Sequence, residues 1–128
     1  MKKEFSTFWK SSKQRRKQRK YRYNAPLHIK QKFMHAHLSK ELRKKYKKRS
    51  LGLKKGDKVM ILRGKSRKHT GSVERIDLKR TRVYVSGMDI TKKEGTKVFY
   101  PINPSNLIIT EVSMDDKSRQ KIIERRTK

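Results

Sequence analysis

The chain has 128 residues, of which 39 are Lys or Arg and 11 are Asp or Glu, so its formal net charge is +28 with the four His residues neutral. A compact protein with this much uncompensated charge repels itself, and a nucleic-acid backbone is the simplest counterion in a cell. With 31% hydrophobic residues, the chain can form one small core but not a core along its whole length. This composition disfavours a soluble metabolic enzyme.

Cysteine is absent, which excludes disulfides, Cys-based zinc fingers and thiol catalysis. No apolar run approaches the ~18 residues of a membrane span. The N-terminal sequence MKKEFSTFWK has neither an apolar h-region nor a small-residue cleavage site. We therefore expect a cytoplasmic protein without a cofactor, a membrane partner or a small-molecule substrate.

The positive charge is concentrated in the N-terminal part of the chain. Residues 1–55 carry 21 basic and two acidic residues, whereas 56–112 carry 12 and six, and 113–128 carry six and three. Most β-branched residues lie in the middle segment. We predict a basic arm over 1–53, a β domain over 54–112 that is foldable but fragile without the arm, and a C-terminal helix over 113–128 that opens with Met114-Asp115-Asp116.

The arm combines a polar stretch with two helical signals. SSKQRRKQRKYRY, residues 11–23, has no apolar periodicity and is expected to be disordered or a fraying helix in water that orders against RNA. Pro26 suits the start of a short helix at about 26–35. Ser39 can cap a second helix whose first turn holds Glu41 and whose end is basic.

The sequence pattern of the middle segment, 56–112, predicts short strands separated by turns. Val73 and Ile76 have opposite parity, so a one-residue bulge is predicted to bring both inward and to bend the strand. Val98, Tyr100 and Ile102 are predicted to share one face. Five strands in ~57 residues imply a mainly β fold, a small antiparallel barrel or curled sheet: 57–62, 72–78, 82–87, 97–102 and 107–112.

A basic loop joins the first two of these strands. RGKSRKHTG, residues 63–71, has four cations and a His between two glycines, which would let the backbone turn sharply and approach a phosphate. The alternative is an ordinary solvated hairpin tip. At this overall charge, contact with RNA is the favoured interpretation.

The remaining polar residues give little support for catalysis or metal binding. His28, His35, His37 and His69 have no Cys nearby, and the surrounding cations would repel a divalent metal, so contacts with a base or a phosphate are favoured. The carboxylates show no pairing that suggests a general acid and base.

Four aromatic residues lie among cations of the arm. Tyr21 and Tyr23 are predicted to stack on unpaired bases. Phe33 and Tyr46 stand at helical spacing from other apolar residues, so we favour packing of their helices on the β domain.

Several segments resemble a known family. KKGDKVMILRGKSRKHTGSVERIDLKRTRVYVSG (54–87) resembles a KOW motif. With the segments 12–28, 38–46 and 98–112, the chain over about 12–126 is similar to the archaeal and eukaryotic-type members of the universal large-subunit ribosomal protein family numbered twenty-four, or twenty-six in eukaryotic naming. It departs from the family pattern at Gly52, Lys68 and Asn103, where Pro, Gly and His are usual, and Met1–Ser11 resembles an extension.

The resemblance implies an SH3-like barrel with a basic N-terminal extension. It implies direct binding to the 5′ domain of large-subunit ribosomal RNA early in assembly, near the outer opening of the nascent-peptide exit tunnel and beside other ribosomal proteins. The family's RNA-binding tail corresponds to Lys13–Tyr23 and 24–28, its inter-strand loop to Arg63–Gly71, and its second basic turn to Lys79, Arg80 and Arg82.

The candidate RNA-binding residues belong to the arm, the second helix and the two basic loops: Lys13, Gln14, Arg15, Arg16, Lys17, Arg19, Lys20, Tyr21, Arg22, Tyr23, Asn24, His28, Lys30, Lys32, Arg43, Lys47, Lys48, Arg49, Arg63, Lys65, Ser66, Arg67, Lys68, His69, Lys79, Arg80 and Arg82. Two functions are alternatives to that of a ribosomal protein. The first is a KOW-type transcription-elongation or RNA-processing factor, and the second is an RNA-acting enzyme. The first would normally carry a further partner-binding domain, and the second is disfavoured by the scattered acidic residues.

Overall fold

Residues 3–127 of a computed structural model are described, and they form two β-sheets and four α-helices. Met1, Lys2 and Lys128, which belong to the predicted arm and C-terminal segment, lie outside the described residues. In chain order the elements are a 3₁₀ turn (Thr7–Ser11), α1 (Arg15–Asn24), α2 (Leu27–Phe33), β1 (His35–Leu38), α3 (Lys40–Tyr46), β2 (Ser50–Gly52), β3 (Lys58–Ile61), β4 (Thr70–Asp77), β5 (Arg82–Val85), β6 (Asp89–Thr91), β7 (Lys97–Phe99), a second 3₁₀ turn (Pro104–Asn106), β8 (Leu107–Glu111) and α4 (Lys117–Thr127).

The larger sheet has the strand order β2-β1-β8-β3-β4-β5 among the described residues. β1 and β8 are parallel, and the other neighbours are antiparallel. The predicted bulge is confirmed, because the pairing of β4 with β5 shifts register between Val73 and Arg75. Val83 and Val85 face inward as predicted. The strand order of this sheet does not close over residues 3–127, so the fold is mainly β without a completed barrel.

The boundary predicted at residue 53 falls inside one packed unit. β1 and β2 come from the predicted arm, and their Ala36, Leu38 and Leu51 are buried with the valines and isoleucines of the later strands. Backbone hydrogen bonds join the segments, since Ser39 N donates to Ile109 O at 2.9 Å. Residues 54–112 therefore do not contain the whole core, and their fragile folding without the arm stays a prediction.

The two helices predicted in the arm are confirmed. α2 follows Pro26, and the Ser39 hydroxyl caps α3 by accepting from Leu42 N at 3.3 Å. Tyr46 packs into the core of the larger sheet as expected.

The polar stretch 11–23 forms α1 over most of its length, and the side chain of Tyr21 in this helix is buried. The disorder or fraying of this stretch in water stays a prediction. Tyr21 is only 7% exposed, and it clusters with the buried Ala25 and Ile29 and with the half-buried Phe33. Ile29 and Phe33 are four residues apart and share one side of α2, and this side meets Tyr21 of α1 and Ala25 of the link between the two helices. Phe5, from the N-terminal extension, stacks on Tyr21 with ring centroids 5.2 Å apart. Tyr21 therefore packs in a protein cluster, and its ring is not free to stack on a base.

A buried ion pair fixes α4 against the larger sheet. Arg119 Nη1 and Nη2 donate to the two carboxylate oxygens of Asp57 at 2.6 and 2.7 Å. Both side chains are almost fully buried. Asp57 also accepts from the backbone N–H groups of Lys54 and Ser113, and Arg119 donates to the Gly52 and Ser113 carbonyls. Such a pair is stable only with these extra hydrogen bonds, because both charges lose their water.

The region 89–100 departs from the predicted fourth strand, 97–102. β6 and β7 form a separate two-stranded hairpin whose residues are all exposed. Val98 and Tyr100 therefore lie outside the core, at 42% and 46% exposure, and of the three predicted residues only Ile102 reaches the core, where it forms a bridge with Val83. The short strand β6 was not predicted.

Candidate nucleic-acid interface

A cationic groove lies between α1, α2 and the turn that joins β4 to β5. We call it the arm groove. Seven cations and two tyrosines line it, and none of the residues that line it is a carboxylate: Arg19, Lys20, Arg22, Lys30, Lys79, Arg80, Arg82, Tyr23 and Tyr84, with Thr81 and Pro101. Such a groove attracts a polyanion, because its charges are close together and uncompensated.

Protein contacts hold both walls of the arm groove in place. Lys30 Nζ donates to Lys79 O at 3.1 Å, which ties α2 to the β4–β5 turn. The Arg80 backbone N–H donates to the Asp77 carboxylate at 3.0 Å, which shapes that turn and leaves the Arg80 side chain exposed. Because both bonds use backbone atoms of the turn, its two long side chains are available for a ligand.

Aromatic rings orient the cations of α1. Lys20 Nζ lies 5.0 Å from the centre of the Trp9 ring and donates to Lys3 O at 3.0 Å. The Arg22 guanidinium lies 5.6 Å from the Phe33 ring. The N-terminal extension therefore shapes the arm groove, since it supplies partners to a helix that lines it.

The tyrosines of the arm groove differ in origin. Tyr23 follows the buried Tyr21 by two residues and is 83% exposed, so its ring is free to stack on a base. Tyr84 alternates with the buried Val83 and Val85 in β5, and Arg75 lies over its ring at 5.5 Å. Tyr84 was missed in the sequence, although the strand alternation indicates that it faces outward.

A second groove adjoins the first and is chemically different. We call it the loop groove, because the basic loop 63–71 forms one wall and the base of the β6–β7 hairpin forms the other. Arg82 and Pro101 line both grooves. The loop groove is lined by cations, amides, one carboxylate and apolar side chains: Arg63, Lys65, Ser66, Arg82, Asp89, Asn103, Asn106, Tyr100, Ile61, Met88 and Ile102, with Gly64, Ile90 and Pro101. Asn103, Asn106 and Asp89 were not among the predicted site residues.

The basic loop is an ordered hairpin with exposed cations. Lys68 N donates to Ile61 O at 2.8 Å, and His69 N donates to Ser66 O at 3.1 Å. Arg63, Lys65, Arg67 and Lys68 are exposed, as expected for a loop that presents charge. The His69 ring nitrogen Nε2 bonds Ser86 O at 3.1 Å, so this residue joins the loop to the end of β5.

The two ends of the basic loop have different backbone requirements. Gly64 has φ +94°, the left-handed region that glycine favours. Gly71 does not share this conformation, and it is needed because a Cβ there would lie 2.6 Å from Ser86 O. Lys68 occupies the left-handed region at φ +70°, where the related family usually has glycine.

The predicted cations of α3 and of the segment after it line neither groove. Arg43, predicted as an RNA ligand, donates from Nε to Leu38 O at 2.8 Å and from Nη2 to His37 Nδ1 at 3.2 Å, so it holds β1 to α3. Partial burial and the positive charge of Lys48 lower the pKa of His35 below its ordinary value. Lys47 and Arg49 are exposed there.

The structure thus divides the predicted RNA-binding residues into groups. Asn24 donates from Nδ2 to Glu4 O at 2.7 Å and supports the N-terminal extension. The other predicted residues outside both grooves are exposed on α1 and its approach, on α2 and on the basic loop: Lys13, Gln14, Arg15, Arg16, Lys17, His28, Lys32, Arg67 and Lys68.

Residues 3–127 give little support for a metal site or for a membrane-spanning segment. No group of three or more His, Asp or Glu side chains in this range is placed to hold a metal ion. None of the helices described is both long and apolar enough to cross a membrane.

Comparisons with known proteins identify the family to which the chain belongs. Residues 12–126 match the family of the eukaryotic ribosomal proteins L26 and the archaeal ribosomal proteins L24. The chain is also 54% identical over 114 residues to the large ribosomal subunit protein uL24 of Methanothrix thermoacetophila, an alignment that covers 89% of this chain and 98% of that protein. The match spans nearly the whole chain, including α1, both grooves and α4, and the chain belongs to this family of ribosomal proteins.

Proposed function

We propose that this protein is a structural constituent of the large ribosomal subunit and binds large-subunit ribosomal RNA directly through the arm groove and the basic loop. The observation that carries the proposal is the arm groove, where seven cations and two tyrosines meet without a carboxylate. Family membership supports the ribosomal context. The 54% identical relative named as a large-subunit protein supports the choice of subunit.

The mechanism is neutralisation of phosphates by side chains held on a folded surface. Each Lys or Arg that contacts a phosphate releases condensed counterions, which gives a favourable and salt-dependent free energy of binding. Arg19 and Arg22 on one wall face Lys79 and Arg80 on the other, so a backbone lying in the groove meets charges on both sides. Tyr23 adds a stacking surface for a base that leaves its helix.

The more specific features follow from the family resemblance. We propose that the bound RNA is the 5′ domain, that binding is early and helps subunit assembly, and that the site lies near the exit tunnel beside other ribosomal proteins in the cytoplasm. We also propose that the six-stranded sheet corresponds to the SH3-like barrel of KOW proteins. The basic loop between β3 and β4 supports this, since it occupies the loop position of a KOW motif.

The salt dependence of RNA binding tests the arm groove. The double variant Lys79→Ser/Arg80→Ser removes two side chains and keeps the backbone bonds of the turn. Loss of two phosphate contacts should flatten the slope of log K against log salt by about 1.4–1.8. The measurement is titration of a 5′-domain transcript of large-subunit ribosomal RNA at several salt concentrations.

A matched variant controls for net charge. Lys117→Ser/Lys121→Ser removes the same charge from exposed positions of α4 that line neither groove. This control should keep the parental slope. Equal slopes for both double variants would mean that the arm groove is not the phosphate-binding surface.

A further inference from the structure

We propose that the loop groove is a pocket for one unpaired guanine of the bound RNA, recognised by the carboxylate of Asp89. This inference rests on the proposed RNA binding and adds a base-specific site beside the phosphate-binding one. The two grooves meet at Arg82 and Pro101, so one strand could pass from the arm groove into the loop groove.

The loop groove has the composition of a base pocket. Met88, Ile90 and the ring of Tyr100 give it an accessible apolar surface, and the buried Ile61 and Ile102 also line it. A planar base can bury its faces against such a surface, whereas a phosphate gains nothing from it. The polar groups at the rim would then contact the base edge and its flanking phosphates.

Asp89 indicates which ligand the groove accepts. It is the single carboxylate among the described residues that line either groove, and a carboxylate repels phosphate. No described residue forms a hydrogen bond or ion pair with its side chain, although Arg63 and Arg82 line the same groove. Asp89 is therefore a free acceptor for hydrogen-bond donors of a ligand.

Guanine is the base that best matches this acceptor. Its Watson–Crick edge presents two adjacent donors, N1–H and the N2 amino group, which can bond both oxygens of one carboxylate. Adenine and cytosine present a donor beside an acceptor, and uracil presents one donor between two acceptors. The Asn106 side chain, which has no protein partner among the described residues, can donate from its amide to guanine O6.

The cations of the loop groove complete the site. Arg63, Lys65 and Arg82 surround the pocket with positive charge, and they can bind the phosphates on either side of the inserted nucleotide. The arm groove would hold the neighbouring backbone without reading its sequence. In this arrangement the arm groove supplies binding affinity, and the loop groove supplies the preference for one base.

The test uses short oligouridines with one central guanosine, inosine or adenosine, titrated with the full-length protein at fixed salt by fluorescence anisotropy. The parent should bind the guanosine oligomer about tenfold more tightly than the adenosine oligomer. Inosine, which lacks the N2 amino group, should lie between them. Asp89→Asn should bind all three with similar affinities, because the amide replaces one of the two acceptor oxygens with an NH2 donor, which cannot pair with a guanine N–H.

Glu94→Gln is the matched control, because Glu94 is exposed in the β6–β7 turn and lines neither groove. It makes the same change of charge and should keep the preference for guanosine. Equal affinities of the parent for the three oligomers would overturn this inference and leave the proposed function standing, as would a preference retained in Asp89→Asn. No binding of any RNA, including the 5′-domain transcript, would overturn both.

Discussion

The larger sheet and the N-terminal arm differ in how they are held together. Fifteen buried apolar residues, from Met34 to Ile123, form the core of the sheet over the described chain. The cluster that holds α1 has three buried residues and three half-buried ones. Residues 1–34, which precede β1, nevertheless carry 12 basic residues and one acidic residue. The region with less apolar burial thus depends more on its counterions, and RNA would stabilise the arm more than the sheet.

The largest expected effect is on the stability of the larger sheet and of α4, which packs against it. Arg119→Met leaves the Asp57 carboxylate buried without its cation, so the free energy of unfolding should fall by about 3–5 kcal/mol. Lys58→Met breaks the exposed pair with Glu111 and should cost less than about 1 kcal/mol. Urea denaturation of both variants measures the difference. Similar losses in the two variants would show that the buried pair does not anchor α4.

A variant of the arm cluster should affect the arm and leave the sheet in place. Tyr21→Ala removes the ring that Phe5 and Phe33 contact, so α1 should lose about 1–3 kcal/mol of local stability. Amide hydrogen exchange of the RNA-free protein should accelerate in α1 and stay unchanged in β3 and β8. Unprotected α1 amides in the parent would mean that the apolar cluster does not order the arm without RNA.

The smallest expected effect is within the basic loop. Lys68→Gly places glycine at φ +70° and should raise the free energy of unfolding by about 0.5–1 kcal/mol. Lys65→Gly removes an equivalent exposed charge at a position whose φ is not positive, so it should lower stability slightly. Thermal melts of the two variants measure the contrast. A destabilised Lys68→Gly protein would show that the lysine is not strained in this conformation.

Local patterns in the sequence were enough to predict much of the fold. The alternation of Val83 and Val85, the bulge between Val73 and Ile76, and the Ser39 cap each depend on neighbouring residues, and all are observed. β1 was missed because its strand character depends on pairing with β2, on the far side of α3, and with β8, about 70 residues away. The buried Asp57–Arg119 pair joins positions 62 residues apart, and no local sequence pattern predicts it.

The sequence predicted which types of residue form the candidate site better than it predicted how those residues are arranged in space. Clusters of Lys and Arg in the sequence identified the cations that line the arm groove. The sequence did not separate those cations from Arg43, which holds β1 to α3, or Tyr23 from the buried Tyr21. Burial depends on residues elsewhere in the chain, such as Phe5 for Tyr21. Tertiary packing therefore decides which charged and aromatic side chains remain free for RNA.

Ultraviolet cross-linking of the protein in purified large subunits, with mass spectrometric mapping of the cross-linked peptides, tests the central claim most directly. The account predicts cross-links to ribosomal RNA at Tyr23 and Tyr84 in the arm groove and in the loop 63–71, and none at the α4 positions Lys117 and Lys121. Cross-links confined to α4 or to the cations after α3, with both grooves unmodified, would contradict it.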